Sequence, residues 1–567
     1  MKLTKNGQTI INRFLLKDKK GKIIEKPEDL FKRVAHNIAK EDKKYGSTDE
    51  EFLKIEKTFY NSMQDLEFLP NLPVIANAGR KLQQLAACFV IPVSDDIPSI
   101  FQSVKEMAII QKSGGGTGFN FSKLRPEGSL VSETGGIASG PVSFMKVFDS
   151  ATGAIKEGGI RRGANMGILR IDHPDIEKFI NCKSNNELSN FNISTAINEK
   201  FMEAVIKNKE FELEFDNKIY SKVKAKELFQ RIANQAWSNG DPGIIFIDEI
   251  NKHNTTPEVG IIEATNPCGE QPLLPYESCF LGSINLEKFV KEKSKKIDYE
   301  KLEETIKSGV HFLDNCIDAT KYPISAIERI TKHNRKIGLG VMGFAGMLIK
   351  MNIAYDSQTA LKLAEKIMKF VNEKAREASK ELAEKRGSFM NLNKSIWKEN
   401  NIKMRNATVT TIAPTGTIGI IADCTEGIEP IFGLATSRKS TYGELLEINP
   451  LFQELTKKLK LKKEVLTQIM QENSLQNKEI KLPKKIKRIF KTAHDIEPEW
   501  HIKIQAAFQK YTDNAISKTV NLKETATPED IEKIFMLAYK LKCKGLTVYR
   551  YNSRKEQVLD FCKACKI

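Results

Sequence analysis

An α/β fold is what this sequence predicts. From about residue 71 to residue 540, short apolar runs alternate with amphipathic helical stretches, and such alternation marks α/β architecture. Gly243-Ile-Ile-Phe-Ile-Asp248 and Asn406-Ala-Thr-Val-Thr-Thr-Ile412 read as strands, and Tyr299 to Thr320 and Ser357 to Arg386 as long helices. The alternation alone does not specify a barrel.

The elements follow in order. Residues 1–70 read as mostly helical: Pro27-Glu-Asp-Leu-Phe-Lys-Arg-Val-Ala-His-Asn-Ile-Ala39 has apolar residues at helical spacing, and Thr48-Asp-Glu-Glu51 is a capped helix start. This region is too short to add a separate module of roughly 100 residues. The body is expected over 71–550. Within it, Lys457 to Arg488 is lysine-rich and reads as a local insertion, and Lys481-Leu-Pro-Lys-Lys-Ile-Lys-Arg488 reads as an exposed helix entry. Residues 551–567 lose periodicity after Val558-Leu-Asp-Phe561 and read as a mobile tail carrying Cys562-Lys-Ala-Cys565.

Composition narrows the class. The chain has 567 residues, 40% hydrophobic and 28% charged, as in a soluble globular enzyme. No apolar run approaches the ~20 residues of a membrane span. The segment Met1-Lys-Leu-Thr-Lys-Asn-Gly7 lacks the apolar centre of a signal peptide, so the expected location is cytoplasmic. The net charge of +17 is read as a lysine-rich solvated surface. The basic stretches lack the interleaved aromatics of a nucleic-acid platform, so neither a membrane nor a nucleic acid is expected as partner. Nine cysteines are too few for a disulfide scaffold. The CxxC has no nearby histidine and no second CxxC, so a redox dithiol is favoured over zinc, and no metal site is assigned. Cys182, Cys316, Cys424 and Cys543 read as structural.

The most informative stretch is Asn266-Pro-Cys-Gly-Glu-Gln-Pro-Leu-Leu-Pro-Tyr-Glu-Ser-Cys279. Asn266, Cys268 and Glu270 put an amide, a thiol and a carboxyl within five residues. Pro267 and Gly269 between them disfavour helix and strand, so the three sit on a tight loop. A thiol beside a carboxyl and an amide can carry acid–base and redox work at one carbon centre. Alone, the stretch reads as a turn with a buried cysteine. It does not stand alone. Leu85-Ala-Ala-Cys88-Phe-Val-Ile-Pro92, Ser113-Gly-Gly-Gly-Thr-Gly-Phe119, Gly158-Gly-Ile-Arg-Arg-Gly-Ala-Asn-Met166, Ala413-Pro-Thr-Gly-Thr-Ile418 and Lys544-Gly-Leu-Thr-Val-Tyr-Arg550 accompany it.

In this order, the motifs resemble the catalytic chain of ribonucleotide reductases, and most of all the dimeric adenosylcobalamin-dependent class. The resemblance runs from about Gln8 to Arg554. It implies a ten-stranded α/β barrel of two parallel five-stranded halves, with a finger loop through the middle and Cys268 at its tip. Cys268 resembles the thiyl-radical cysteine that takes the ribose 3′-hydrogen, Glu270 the base for the 3′-hydroxyl, and Asn266 a holder of substrate hydroxyls. Cys88 and Cys279 resemble the reducing pair that ends as a disulfide, and Cys562 and Cys565 a redox tail recharged by a thioredoxin-like reductant. Substrate contacts are implied at Ala87, Gly116, Pro267 and Gly269. The loop Pro414, Thr415, Gly416, Thr417, Ile418 is implied to hold the phosphates. A ribonucleotide, taken to be a diphosphate, is the implied substrate.

A nucleotide-effector site (dNTP or ATP) is implied at Asp95, Asp96, Lys112 and Arg125, with Lys156, Glu157 and Arg161 on a glycine-rich loop joining effector to substrate. A homodimer is implied as well. Relatives carry Gln at the position of Glu157, and a carboxylate cannot donate a hydrogen bond. Leu72, Val74 and Ala86 replace common hydroxyl residues. The run Val548-Tyr549-Arg550-Tyr551 lacks the adjacent tyrosine pair of oxygen-dependent relatives, which points to adenosylcobalamin as the radical source. The alternatives are an oxygen-dependent chain that needs a metal-radical partner subunit, an inactive nucleotide-binding relative, and an unrelated thioredoxin-like enzyme using the CxxC.

Overall fold

The computed structural model of the chain describes residues 3–561 apart from 132–134, 158–160, 186, 400, 441–442, 555–556 and 558. Helices Lys5–Ile11, Pro27–Ala39 and Asp49–Gln64 open the chain. The expected cap is present: Glu51 N donates to Thr48 Oγ1 at 3.2 Å, and Thr48 N to Glu51 Oε2 at 2.9 Å. The inner faces of these helices bury Phe31, Val34, Ile38, Phe59 and Met63.

The barrel is built in two halves. Strands β1 (Cys88–Val90), β2 (Gly116–Asn120), β3 (Asn165–Arg170), β4 (Phe191–Ile197) and β5 (Gly243–Phe246) pair side by side, all parallel. Strands β6 (Ser278–Asn285) and β7 (Ile337–Met342) begin the second half, also parallel. Parallel bridges continue it from Leu339 to Thr410 and from Ile412 to Ile516. Strands β8 (Thr519–Leu522) and β9 (Gly545–Arg550) complete it, again parallel. The halves meet antiparallel at two seams, β1 with β6 and β5 with β9, so the ring closes. Counting the 408–412 stretch as one stave, each half has five. A short strand, Phe68–Pro70, extends the sheet off β6. Burial explains the composition of the staves: β5, β6 and β7 are buried along their whole length, as parallel strands covered on both faces are.

Between β5 and β6, Ala264–Thr265 and Pro272–Leu273 form an antiparallel hairpin. It runs inside the ring. A Cβ on Gly118 of β2 would lie 1.8 Å from Thr265 O, and one on Gly116 2.9 Å from Pro267 Cγ. Only glycine lets two backbones pass this closely. On the other side, Thr411 Oγ1 and Ala515 N donate to Glu270 O at 2.9 and 3.0 Å.

Asp314 on helix Tyr299–Ala319 is fully buried and receives Arg335 at 2.9 Å and Arg386 and Arg405 at 3.2 Å. Arg386 also pairs with Asp42 of the N-terminal region, and Tyr45 donates to Asp318 at 2.7 Å. This network fastens the N-terminal helices to the barrel.

The segment after β9 differs from a loose tail. Leu559–Phe561 adds a strand antiparallel to Ala435–Ser440, itself the first arm of a hairpin with Gly443–Ile448. Phe561 stacks on Tyr551 at 4.7 Å, and the rings of His494 and Phe432 close on it. Backbone pairing and aromatic packing thus hold the chain as far as Phe561, which periodicity in so short a run does not reveal. Cys562 and Cys565 lie outside the described residues.

Candidate active site

The fingertip turns because Pro267 cannot extend a ladder and Gly269 takes φ +81°. Asn266 fastens the turn: its backbone N donates to Gln271 O at 3.1 Å, and its Oδ1 accepts from Gln271 N at 3.0 Å. Asn192 of β4 donates to Pro267 O at 2.9 Å. This locks Asn266 and Glu270 into buried positions and leaves Cys268 exposed at the tip.

Beneath the tip, the seam between β1 and β6 sets Cys88 directly opposite Cys279. Side chains of directly opposed residues lie on one face of a sheet. Asn266 Nδ2 donates to Cys88 Sγ at 3.1 Å, tying the seam to the finger. Both cysteines are buried and are not joined by a disulfide in the structure. Burial pushes both thiols well above the ordinary thiol value; Glu270 adds to this at Cys88 and Glu277 at Cys279. Both therefore keep their hydrogens at neutral pH.

Cys268, Pro267 and Gly269 form the end wall of a cavity of about 930 Å³. Its sides come from β4, β5 and β9, from Pro414, Gly419 and Ile420 at the two ends of the 415–418 turn, and from the hairpin residues Arg438 and Glu447. Thr415 sits at φ +58° before the helix Gly416–Ala422, and its Oγ1 accepts from Gly427 N at 2.8 Å. Gly416 and Thr417 are half-exposed there. Ala87, just before β1, and Gly116, at the start of β2, are half-exposed.

The structure brings together Asn266, Cys268, Glu270, Cys88 and Cys279. Of the expected effector residues, Asp95, Asp96 and Arg125 lie together at the start of the helix Ile97–Lys112. Asp95 pairs with Arg125 at 2.6 Å, and Asp96 caps the helix Ile97–Lys112 through Ser99 N at 2.8 Å. Lys112 ends that helix, about 24 Å along its axis at ~1.5 Å per residue. The backbones of Lys156–Glu157 and Arg161–Arg162 pair as a hairpin, while residues 158–160 lie outside the described part.

Sequence reading missed several cavity residues. Cys424, taken as structural, lines it, as do Thr4, Arg438 and Lys518. Lys518 is buried, pairs with Glu429 and contacts His501 Nδ1 at 3.1 Å. No local motif marks them, because each reaches the cavity through tertiary packing.

The family follows from comparison. Residues 86–549 match the model described as ribonucleotide reductase, barrel domain, and residues 1–83 match ribonucleotide reductase, all-alpha domain. This chain belongs to the ribonucleotide reductase large-chain family. Among reductases, it is 47% identical to the vitamin B12-dependent ribonucleoside-diphosphate reductase of Thermoplasma acidophilum, over 99% of this chain and 80% of that one. The Mycobacterium tuberculosis protein of the same description is 43% identical over 99% and 80%. The Actinobacillus ureae class Id ribonucleotide reductase alpha subunit superposes with a TM-score of 0.79 at 23% identity, covering 97% of both chains. That likeness concerns the reductase fold.

Proposed function

We propose that this chain reduces ribonucleotides, as diphosphates, to 2′-deoxyribonucleotides by radical chemistry started by adenosylcobalamin. The observation that carries this is the layering of the site: an exposed Cys268 facing the cavity, and below it two opposed, protonated thiols, Cys88 and Cys279. Close relatives named vitamin B12-dependent ribonucleoside-diphosphate reductases support the cofactor and the diphosphate.

The residues present fit the cofactor. The cavity of about 930 Å³ is at the upper end of small-molecule sites, room for more than a nucleotide, and it ends on an exposed thiol. Ser194, Gly243, Ile245 and Leu546 on its wall would hold the group. When bound, adenosylcobalamin supplies a carbon radical that takes the hydrogen of Cys268.

The protein's own steps follow. Cys268, as a thiyl, removes the 3′-hydrogen. Glu270, buried beside it, takes the 3′-hydroxyl proton. A radical at the 3′-carbon makes loss of the 2′-hydroxyl feasible, and a proton from the lower thiols lets it leave as water. Cys88 and Cys279 give two electrons and two hydrogens and join as a disulfide. Their direct opposition suits this, since facing strand residues fall within the Cα separation of a disulfide, ~4.4–6.8 Å. Glu270 then returns its proton to the 3′-oxygen, and Cys268 returns the hydrogen to the 3′-carbon, which completes the deoxyribose and leaves Cys268 as the thiyl it was at the start. Thr415, Gly416 and Thr417 would receive the diphosphate on backbone amides and hydroxyls.

Control by a nucleotide effector and a homodimer belong to the same reading. Ile97, Phe101 and Ile109 are 56%, 50% and 38% exposed on one stripe of the helix Ile97–Lys112, which also carries Asp96 and Lys112. A second copy covering this stripe would place effector groups from two chains together. Recharging of Cys88–Cys279 through Cys562 and Cys565 by a thioredoxin-like protein completes the cycle.

Anaerobic turnover of a ribonucleoside diphosphate with adenosylcobalamin and dithiothreitol, and no second subunit, is the test. Activity that depends on a metal-bearing partner protein would refute the reading.

A further inference from the structure

The stretch from Pro450 to His494 forms a small helical appendage of helices Pro450–Leu459, Lys463–Glu472 and Lys484–Ile489. Its apolar residues Phe452, Ile469, Leu475 and Phe490 are buried. Its cations are not. Lys457, Lys458, Lys462, Lys463, Lys484 and Lys485 are all exposed, as is Arg488. Among the described residues, none of these seven makes an ion pair, whereas many surface lysines elsewhere on the chain do. Exposed carboxylates in the appendage are Glu454, Glu464, Glu472 and Glu479. The result is a concentrated, uncompensated positive surface.

Its position gives it meaning. The hairpin Ala435–Ile448 leads into the appendage through Asn449, whose N donates to Leu434 O at 2.9 Å. That hairpin also pairs with Leu559–Phe561. At the other end of the appendage, His494 packs edge-on against Phe561 and Tyr551 at 5.4 and 5.5 Å. The His494 end of the appendage therefore packs on the last strand before Cys562, and its other end joins the hairpin whose first arm pairs with that strand. Chain connectivity keeps Cys565 within ~14 Å of Phe561 at ~3.3–3.6 Å per residue.

We propose that the appendage is the docking surface for an acidic dithiol protein that reduces the Cys562–Cys565 disulfide. This rests on the redox-tail reading above and names where its partner binds. Two electrons and two protons pass to the tail. One partner thiolate attacks a tail sulfur and breaks its S–S bond, and the second partner thiol resolves the mixed disulfide. The partner leaves oxidised, and the tail leaves as two thiols. An acidic face around the partner's dithiol is steered by the lysines to the tail. No aromatic residue lies between Thr456 and Ile489, so the stacking surface of a single-stranded nucleic-acid platform is missing, and a protein partner is favoured.

The test uses the full chain with Lys481→Gln, Lys484→Gln, Lys485→Gln and Arg488→Gln combined. Turnover is measured with dithiothreitol, with a thioredoxin that is acidic around its dithiol, and with that thioredoxin's charge-neutralised variant. A duplex oligonucleotide is titrated in parallel. The KM for the acidic thioredoxin should rise roughly tenfold at low salt, its salt dependence should flatten, and turnover with dithiothreitol should not change. The neutralised thioredoxin should show the higher KM already with the unmodified chain. An unchanged KM for acidic thioredoxin overturns the proposal, as does loss of oligonucleotide binding with no effect on the reductant. No turnover of the unmodified chain with dithiothreitol would instead overturn the reductase reading itself.

Discussion

Cys88 and Cys279 face each other across the antiparallel seam that joins the two halves of the barrel, and Asn266 reaches down from the finger to donate to the Cys88 sulfur at 3.1 Å. The seam is thus a structural closure and, in the mechanism proposed above, the place where the two reducing thiols meet.

Replacing either thiol separates these roles. Cys88→Ser and Cys279→Ser should fold, because serine is close to isosteric, yet multiple turnover should fall to background. A single turnover of the unmodified chain without reductant should yield a peptide pair linked through Cys88 and Cys279, read by mass spectrometry. In the resting chain, iodoacetamide should label Cys268 and spare the two buried, protonated thiols, since the thiolate is the reactive form. Full multiple turnover by Cys88→Ser would remove it from the reducing pair.

Glu270→Gln keeps the shape of the buried side chain but removes the base. The expected loss in kcat is about 10²–10⁴-fold, the usual range for a positioned acid–base group, with little change in KM. Steady-state kinetics decide. A loss confined to KM would make Glu270 a binding residue only.

Much of this site was legible in the sequence because Asn266, Pro267, Cys268, Gly269 and Glu270 are contiguous, so local chemistry announces the turn. Cys88 and Cys279 are separated by 191 positions. Their partnership came only from resemblance, because pairing depends on register. The α/β alternation was legible for the same local reason as the turn. Ring closure was not, since β1–β6 and β5–β9 are long-range contacts. Lys518 and Arg438 were silent, because a lysine just before a strand and an arginine in a hairpin look alike wherever the fold sends them. The docked strand Leu559–Phe561 was also silent: three residues carry no readable period.

Gly118 makes the finger's path possible, so adding one methyl should disturb it. In Gly118→Ala the new Cβ would meet Thr265 O at 1.8 Å. Backbone must move to relieve this. The expected cost is about 1–3 kcal/mol, as for overpacking, with a loss of turnover as the fingertip shifts. Gly153→Ala is the control, because its Cβ would meet only Asn190 Nδ2, at 3.6 Å. Thermal melting and turnover should separate the two variants. Equal behaviour would mean that the finger passes β2 with more room than the structure gives.

Asp314 offers a prediction about stability with pH. Burial alone would raise its carboxyl, but Arg335, Arg405 and Arg386 hold it well below the ordinary carboxylate value. The folded value is therefore lower than the unfolded one, ~3.9. A group depressed in this way stabilises the fold fully above its unfolded value, and the contribution is lost as pH falls through the folded value. Asp314→Asn leaves three buried guanidinium groups without that charge. At pH 7 it should cost about 3–5 kcal/mol, seen as a lower Tm. The gap between the unmodified chain and the variant should stay constant down to about pH 4 and narrow below it, where the carboxylate itself becomes protonated. The loss should fall first on the docking of the N-terminal helices, because Arg386 links Asp314 to Asp42. Limited proteolysis between Gln64 and Gln83 reads that separation. A variant as stable as the unmodified chain at pH 7, with no new cleavage there, would show that the network does not hold the N-terminal helices to the barrel.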